Sequence, residues 1–307
     1  MTDSTFRRIP DAVTGPAYER LRGVEVDPSY GLHVGTIDID GQALRVGIRP
    51  RDRAAPADAG RRPLLLFNGI GANLELCGPL MACLAGRETI AFDVPGTGQS
   101  PAPGRPYRLF WLAQLARRLL DRLGVEQVDV LGISWGGALA QQFALQYGRR
   151  VGRLVLAATS TGGATMVPPR PSVLMKLASP RRLLDKGYLS RIAPEIYGGR
   201  MRSDPQALRL LGELASGGDP AGYRYQLLAM VGWTSLPWLW RLRQPVLVMA
   251  GSDDPLVPLV NARMLAALLP RARLCVVDDG HLFLLTRARE VAPLISSFLD
   301  QAEAAGR

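Results

Sequence analysis

Ser134 stands at the centre of Gly132-Ile133-Ser134-Trp135-Gly136, with glycine two positions away on either side. An alkyl hydroxyl is a weak nucleophile at neutral pH, so a serine that does chemistry needs a base within reach. The chain has only two imidazoles, His33 and His281. His33 falls in a run that reads as a hairpin strand, and it is assigned an incidental role. His281 follows the last expected strand, in Asp278-Asp279-Gly280-His281, where it can reach back over the sheet edge that carries Ser134. A neutral imidazole that accepts the serine proton must be held in one tautomer, and a carboxylate does this. Asp253 and Asp254 both follow a strand, in Gly251-Ser252-Asp253-Asp254-Pro255-Leu256-Val257-Pro258; Asp254 is preferred because it fits G-x-x-D-x-x-x-P. Thr159-Ser160-Thr161, after an earlier strand, offers no acid in the alternative position. Asp278 and Asp279 lie too near His281 along the chain and are expected to bond loop amides. Together the three residue types point to nucleophilic acyl transfer.

The elements around them must hold this geometry. Val128-Asp129-Val130-Leu131 reads as a buried strand and residues 138–145 as a helix, so Ser134 falls on a strand-to-helix turn. That is the setting of the G-x-S-x-G nucleophile elbow. Side chains at Gly132 and Gly136 would collide with the neighbouring strand and helix. Two backbone N–H groups should face the developing oxyanion. One belongs to Trp135, and the other to Ile70 in the loop Asn68-Gly69-Ile70-Gly71-Ala72.

Apolar strands are expected over 64–67, 88–92, 128–131, 154–158, 246–250 and 274–277. They alternate with helical spacing over 109–123, 138–145, 261–269 and 291–305. The fold class is therefore α/β, a mostly parallel central sheet with helices on both faces. A hairpin, 32–39 and 43–48, turns at Asp40-Gly41 ahead of it. The division reads as a polar N-terminal extension (1–30, with at most a short helix near 17–22), a core in two parts (31–161 and 244–307), and an inserted helical cap (162–243) broken by prolines. Residues 51–62 are expected to be a surface loop.

Length and composition bound the rest. A chain of 307 residues with 47% hydrophobic and 21% charged residues suits one large α/β domain. No apolar run approaches the roughly 18 residues of a membrane span, and residues 1–30 lack the apolar core of a secretory signal. Cys77, Cys83 and Cys275 lie in apolar contexts and read as small buried residues of a reducing compartment, so a cytoplasmic location is expected. The net charge of +10 is almost all arginine, the two lysines being Lys176 and Lys186. The arginines are scattered as short pairs with no basic helix or aromatic-interleaved stripe, so no nucleic-acid site is expected.

At this point the residues resemble the α/β-hydrolase fold, and more narrowly the intracellular depolymerases of medium-chain-length polyhydroxyalkanoates. The resemblance is carried by Phe67-Asn68-Gly69-Ile70-Gly71-Ala72-Asn73-Leu74-Glu75, by the elbow with residues 135–143, and by residues 278–284. Ser179-Pro180-Arg181-Arg182, Arg191-Ile192-Ala193-Pro194, Ile196-Tyr197-Gly198-Gly199 and Gly232-Trp233-Thr234-Ser235 of the cap are similar as well. It covers roughly 31–299 and carries nothing to residues 1–30. The Asn68-Gly69-Ile70-Gly71-Ala72-Asn73 loop and the cap segments are the specific part; many relatives of the fold have a histidine where Asn68 stands, so this loop is expected to be supported differently. The resemblance implies a triad of Ser134, Asp254 and His281 acting on a hydrophobic polyester stored as granules, with no metal and no organic cofactor. The products would be 3-hydroxyalkanoic acids or short oligomers, and granule contact would fall to the cap and rim. Met175, Tyr223, Tyr225, Trp233, Trp238 and Trp240 could meet an alkyl-bearing chain, although packing of cap on core accounts for most of them.

Two other readings keep the same residues. One is hydrolysis of small soluble esters, lactones or carbon–carbon bonds in diketone acids. The other is a non-catalytic scaffold of the same fold used for binding. Dehalogenase and epoxide hydrolase chemistry is disfavoured, because those relatives place aspartate at the elbow.

Overall fold

Leu64–Phe67 is apolar at all four positions, and such a strand has to be covered on both faces. It lies near the middle of a nine-stranded sheet in the computed structural model, which describes residues 16–52, 61–179, 181, 185–215 and 218–301. The strands are β1 Arg22–Asp27, β2 Leu32–Ile39, β3 Gln42–Arg49, β4 Leu64–Phe67, β5 Thr89–Phe92, β6 Val128–Ile133, β7 Val151–Ala157, β8 Val246–Gly251 and β9 Ala272–Val277. Their order across the sheet is β1-β2-β3-β5-β4-β6-β7-β8-β9. Pairings from β1 to β5 are antiparallel, and those from β5 through β4 to β9 are parallel.

Alternate residues of one strand serve opposite faces. Leu65 and Phe67 pack with the helices Leu109–Leu123 and Trp135–Gln146, while Leu64 and Leu66 pack with Ala288–Leu299. Between β2 and β3 the chain turns on Asp40 and Gly41 at φ 53° and 84°. A two-residue hairpin turn asks for positive φ at both positions.

Residues 22–27 differ from expectation. Instead of an irregular extension they form β1, whose Arg22 to Asp27 run antiparallel to Thr36 to Leu32. The strand lies at the sheet edge with Val24 and Val26 exposed, so no apolar alternation marks it in the sequence. The expected short helix before it is a 3-10 turn, Ala17–Arg20. Residues 1–15, and 53–60 of the expected surface loop, lie outside the described residues.

Between β7 and β8 come the helices Pro171–Ala178, Lys186–Tyr197, Arg200–Ser203, Pro205–Leu214 and Pro220–Met230. Three prolines that read as breaks, Pro171, Pro205 and Pro220, are in fact helix starts. Asp204 and Asp219 accept the N–H groups of Gln206 and Ala221 at 2.8 and 2.7 Å. Pro205 and Pro220 then occupy the first turn, where a missing N–H costs nothing. Leu189, Ile192, Ile196 and Leu211 form a separate core for this segment, completed by Leu256 from the loop after β8 and Leu285 from the short helix Phe283–Thr286 that follows β9. The segment thus lies over the carboxyl edge of the sheet. Among the described residues no helix is long and apolar enough to cross a membrane.

Candidate active site

Strand β6 delivers Ser134 at φ 55° and ψ −118°, a conformation that costs a residue with a side chain on the order of 1–3 kcal/mol. Its surroundings hold it there. Ser134 N–H donates to Ala157 O at 2.8 Å, and Ser134 O accepts from Gly137 N–H at 2.9 Å and from Thr159 Oγ1 at 2.7 Å. A Cβ at Gly132 would overlap Gly136 O, and one at Gly136 would overlap Phe67 O. Strand and helix come closer than any side chain permits.

The loops after β8 and β9 bring Asp254 and His281 together. Asp254 Oδ2 lies 2.7 Å from His281 Nδ1, and the two residues are only 6% and 4% exposed. An ionised carboxylate only accepts, so the proton is on Nδ1 and Nε2 is left as an acceptor. Asp254 Oδ1 is itself oriented by the N–H groups of Leu256 and Val257 at 2.9 and 2.8 Å. His281 N–H donates to Tyr197 O at 2.7 Å, and the two rings stack with centroids 6.1 Å apart. The segment Ile196-Tyr197-Gly198-Gly199 therefore backs the histidine. Asp253 turns away: it accepts Gly199 N–H at 2.8 Å and pairs with Arg202. Asp279 accepts the N–H groups of Gly280 and Arg200, and Asp278 accepts Ser252 Oγ, which are loop roles. His33 stacks on Tyr18 at 4.0 Å and takes no part.

Ser134 and His281 line one cavity with Gly69 and Ile70, and its other walls are largely leucine, among them Leu177, Leu189, Leu211 and Leu284. Of the aromatics expected to meet an alkyl chain, Tyr223, Tyr225, Trp233, Trp238 and Trp240 are not in this lining, whose aromatic wall besides His281 is Tyr197. Tyr223 donates to Leu177 O, Trp233 to Gln142 Oε1, and Trp238 meets Trp233 edge-on. Tyr225 packs edge-on against Tyr107, while Met175 and Trp240 are exposed.

The loop carrying Ile70 is braced from three directions. Asn68 bridges its two ends, Oδ1 accepting Gly69 N–H at 2.9 Å and Nδ2 donating to Asn73 O at 2.8 Å. Asp93, one of two residues the sequence reading passed over, accepts Leu74 N–H at 2.7 Å and Gln99 N–H at 3.0 Å. Burial pushes its carboxyl up to about 6, against the pull of Gln99 N–H and Arg45. Gln226 is the other omission. Its Oε1 accepts Gly71 N–H at 2.8 Å and its backbone O accepts Trp135 Nε1 at 2.9 Å. The signal available was weak: Gln226 is the only carboxamide in the helix Pro220–Met230.

Cys77, Cys83 and Cys275 are free thiols, and burial pushes Cys77 up to about 12, leaving it protonated and inert. Among the described residues no cluster of histidine, cysteine and acid could hold a metal ion.

This sheet, with a serine after β6, an aspartate after β8 and a histidine after β9, defines a class. The chain belongs to the α/β-hydrolase fold family, whose model matches residues 62–209 and 219–288. Within that class it belongs with the depolymerases. It is 52% identical over 268 residues to the poly(3-hydroxyalkanoate) depolymerase of Ectopseudomonas oleovorans, covering 87% of this chain and 92% of that protein. By that kinship it is a carboxylic ester hydrolase. The 3-oxoadipate enol-lactonase 2 of Acinetobacter baylyi is 26% identical over 224 residues, 72% of this chain and 82% of its own. The crystal structure of an enol-lactonase from Burkholderia xenovorans LB400 shares the fold, with a TM-score of 0.74 at 22% identity over 87% of this chain and all of that one (100%).

Proposed function

We propose that the chain hydrolyses the ester bonds of medium-chain-length poly(3-hydroxyalkanoate) inside the cell, at granules, through an acyl-enzyme on Ser134. The observation that carries this is the buried Asp254–His281 pair, 2.7 Å apart, whose histidine lines the same leucine-walled cavity as Ser134. An apolar wall suits alkyl side chains, and the 52% identity to a depolymerase supports the polyester over other esters.

The steps follow from the proton positions. Ser134 Oγ attacks the ester carbonyl while His281 Nε2 takes its proton, and Asp254 stabilises the imidazolium that results. The N–H groups of Trp135 and Ile70 receive the oxyanion, each worth about 2.7–4 kcal/mol of transition-state stabilisation. His281 returns the proton to the leaving alkoxide, freeing the alcohol end of the polymer. Water then attacks the acyl-enzyme, again losing a proton to His281, and the 3-hydroxy acid or oligomer departs as Ser134 recovers its hydrogen. The inserted helices act as a cap over this chemistry, and the rim of the cap is the part that meets the granule.

Incubation with latex of medium- and short-chain polyesters, and with soluble esters and lactones, tests the substrate. Preferential release of medium-chain 3-hydroxy acids is expected; cleavage of lactones or small esters alone would reject the polymer. Ser134→Ala should lower kcat on a 4-nitrophenyl ester by on the order of 10⁶. Near-normal turnover by that variant removes the mechanism.

A further inference from the structure

We infer that Gln226 is a positioning residue for the oxyanion hole, its side-chain carbonyl bracing the loop that carries Ile70 while its backbone carbonyl holds the Trp135 indole. This rests on the assignment of Ile70 and Trp135 just made. The helix Pro220–Met230 is seated against the core backbone to backbone, since a Cβ at Gly222 would overlap Gly96 O. Seated there, it places one residue over two loops that come from different strands. Gln226 Oε1 holds Gly71 N–H and Gln226 O holds the Trp135 indole, at 2.8 and 2.9 Å. The residue is 1% exposed, so water offers little competition for either bond.

The Gly71 N–H shares a rigid peptide unit with the Ile70 carbonyl, so its bond to Gln226 anchors the loop one peptide beyond the unit that carries the Ile70 N–H and restrains how that donor can swing. The neighbouring amides are tied within the loop, Gly69 N–H to Asn68 Oδ1 and Ala72 N–H to Gly69 O. The Gly71 bond reaches beyond the loop to the inserted helix. Across the site, the indole bond holds the first residue of the helix Trp135–Gln146, the residue assigned as the second donor. An apolar side chain at 226 would take the acceptor from the half-buried Gly71 N–H, and the peptide would turn to find another. The oxyanion forms only on the way to the tetrahedral intermediate, so a misaimed donor lowers kcat and leaves substrate binding nearly alone.

The test uses the full chain, a soluble 4-nitrophenyl ester, and titration of the reactive serine with a fluorophosphonate. Gln226→Leu and Gln226→Met should lower kcat per titrated site about 10–100-fold with KM within about threefold. Affinity for a trifluoromethyl ketone, whose adduct places an alkoxide in the hole, should fall by a similar factor. A purely structural role predicts something else: fewer titratable sites and a lower melting temperature, with kcat per site and ketone affinity unchanged. That result overturns the inference while leaving the Ser134 mechanism intact. A wild-type chain that neither titrates nor turns over would remove both.

Discussion

Asp253 and Asp254 are neighbours, yet the chain turns between them so that their carboxylates meet different partners. Asp254 is buried against His281, and Asp253 is at the surface against Arg202 and Gly199. Asp254→Asn should therefore lower kcat about 10⁴-fold, because the amide can no longer hold the imidazole in the productive tautomer. Asp253→Asn should stay within a fewfold of wild type. Steady-state rates of both variants on one soluble ester check the pair. Ser134 and His281 were legible because their types are scarce in context: one serine framed by glycines, and one of two imidazoles after a strand. Gln226 and Asp93 were not, because each binds backbone N–H groups. Every residue except proline offers one, so no spacing in the sequence marks the partner.

Among the elements, β4 to β8 announce themselves because burial on both faces demands continuous apolar runs. β1 needs no such run and stays hidden, and Asp204-Pro205 and Asp219-Pro220 read as breaks when they are caps. The loops after β4 and β5 are joined at Asp93, and the joint has an energetic signature. Its carboxyl titrates near 6 in the fold, above the ordinary 3.8, because burial disfavours the charge. The neutral form is thus the one the fold favours. Its contribution to stability is fully present below pH 3.8 and is lost as pH rises through about 6. Asp93→Asn mimics the neutral form at every pH. The unfolding free energy of wild type relative to this variant should rise by on the order of 3 kcal/mol between about pH 8 and about pH 3.5. Urea unfolding of both proteins across that range measures it; a flat difference would mean that the carboxyl titrates alike in the folded and unfolded chains.

Over the whole molecule, the arginine excess divides by burial. Arg241, Arg243, Arg271 and Arg273 come from separate segments to one cleft and are exposed, so water and counter-ions screen their charge. Arg87 is different. It is 3% exposed and lies 2.7 Å from both Asp129 and Asp300, tying the strand β6 to the end of the helix Ala288–Leu299. Asp129 also accepts Arg153 N–H at 2.9 Å, so the network spans β6, β7 and the last helix at the sheet edge opposite Ser134. Burial pushes the Asp129 carboxyl up, and Arg87 works against that rise. Removing the guanidinium strands a buried charge, so Arg87→Met should lose about 3–5 kcal/mol of stability. Adding Asp129→Asn removes the stranded charge and keeps an acceptor for Arg153 N–H. The double variant should therefore be more stable than Arg87→Met alone, although it carries one more substitution. Both should keep kcat per titrated site within about twofold at 25 °C, because the acyl-transfer geometry is set at the other edge of the sheet. Urea unfolding and serine titration on the same samples check the two halves together. A double variant weaker than the single would mean that Arg87 acts by packing and not by neutralising Asp129.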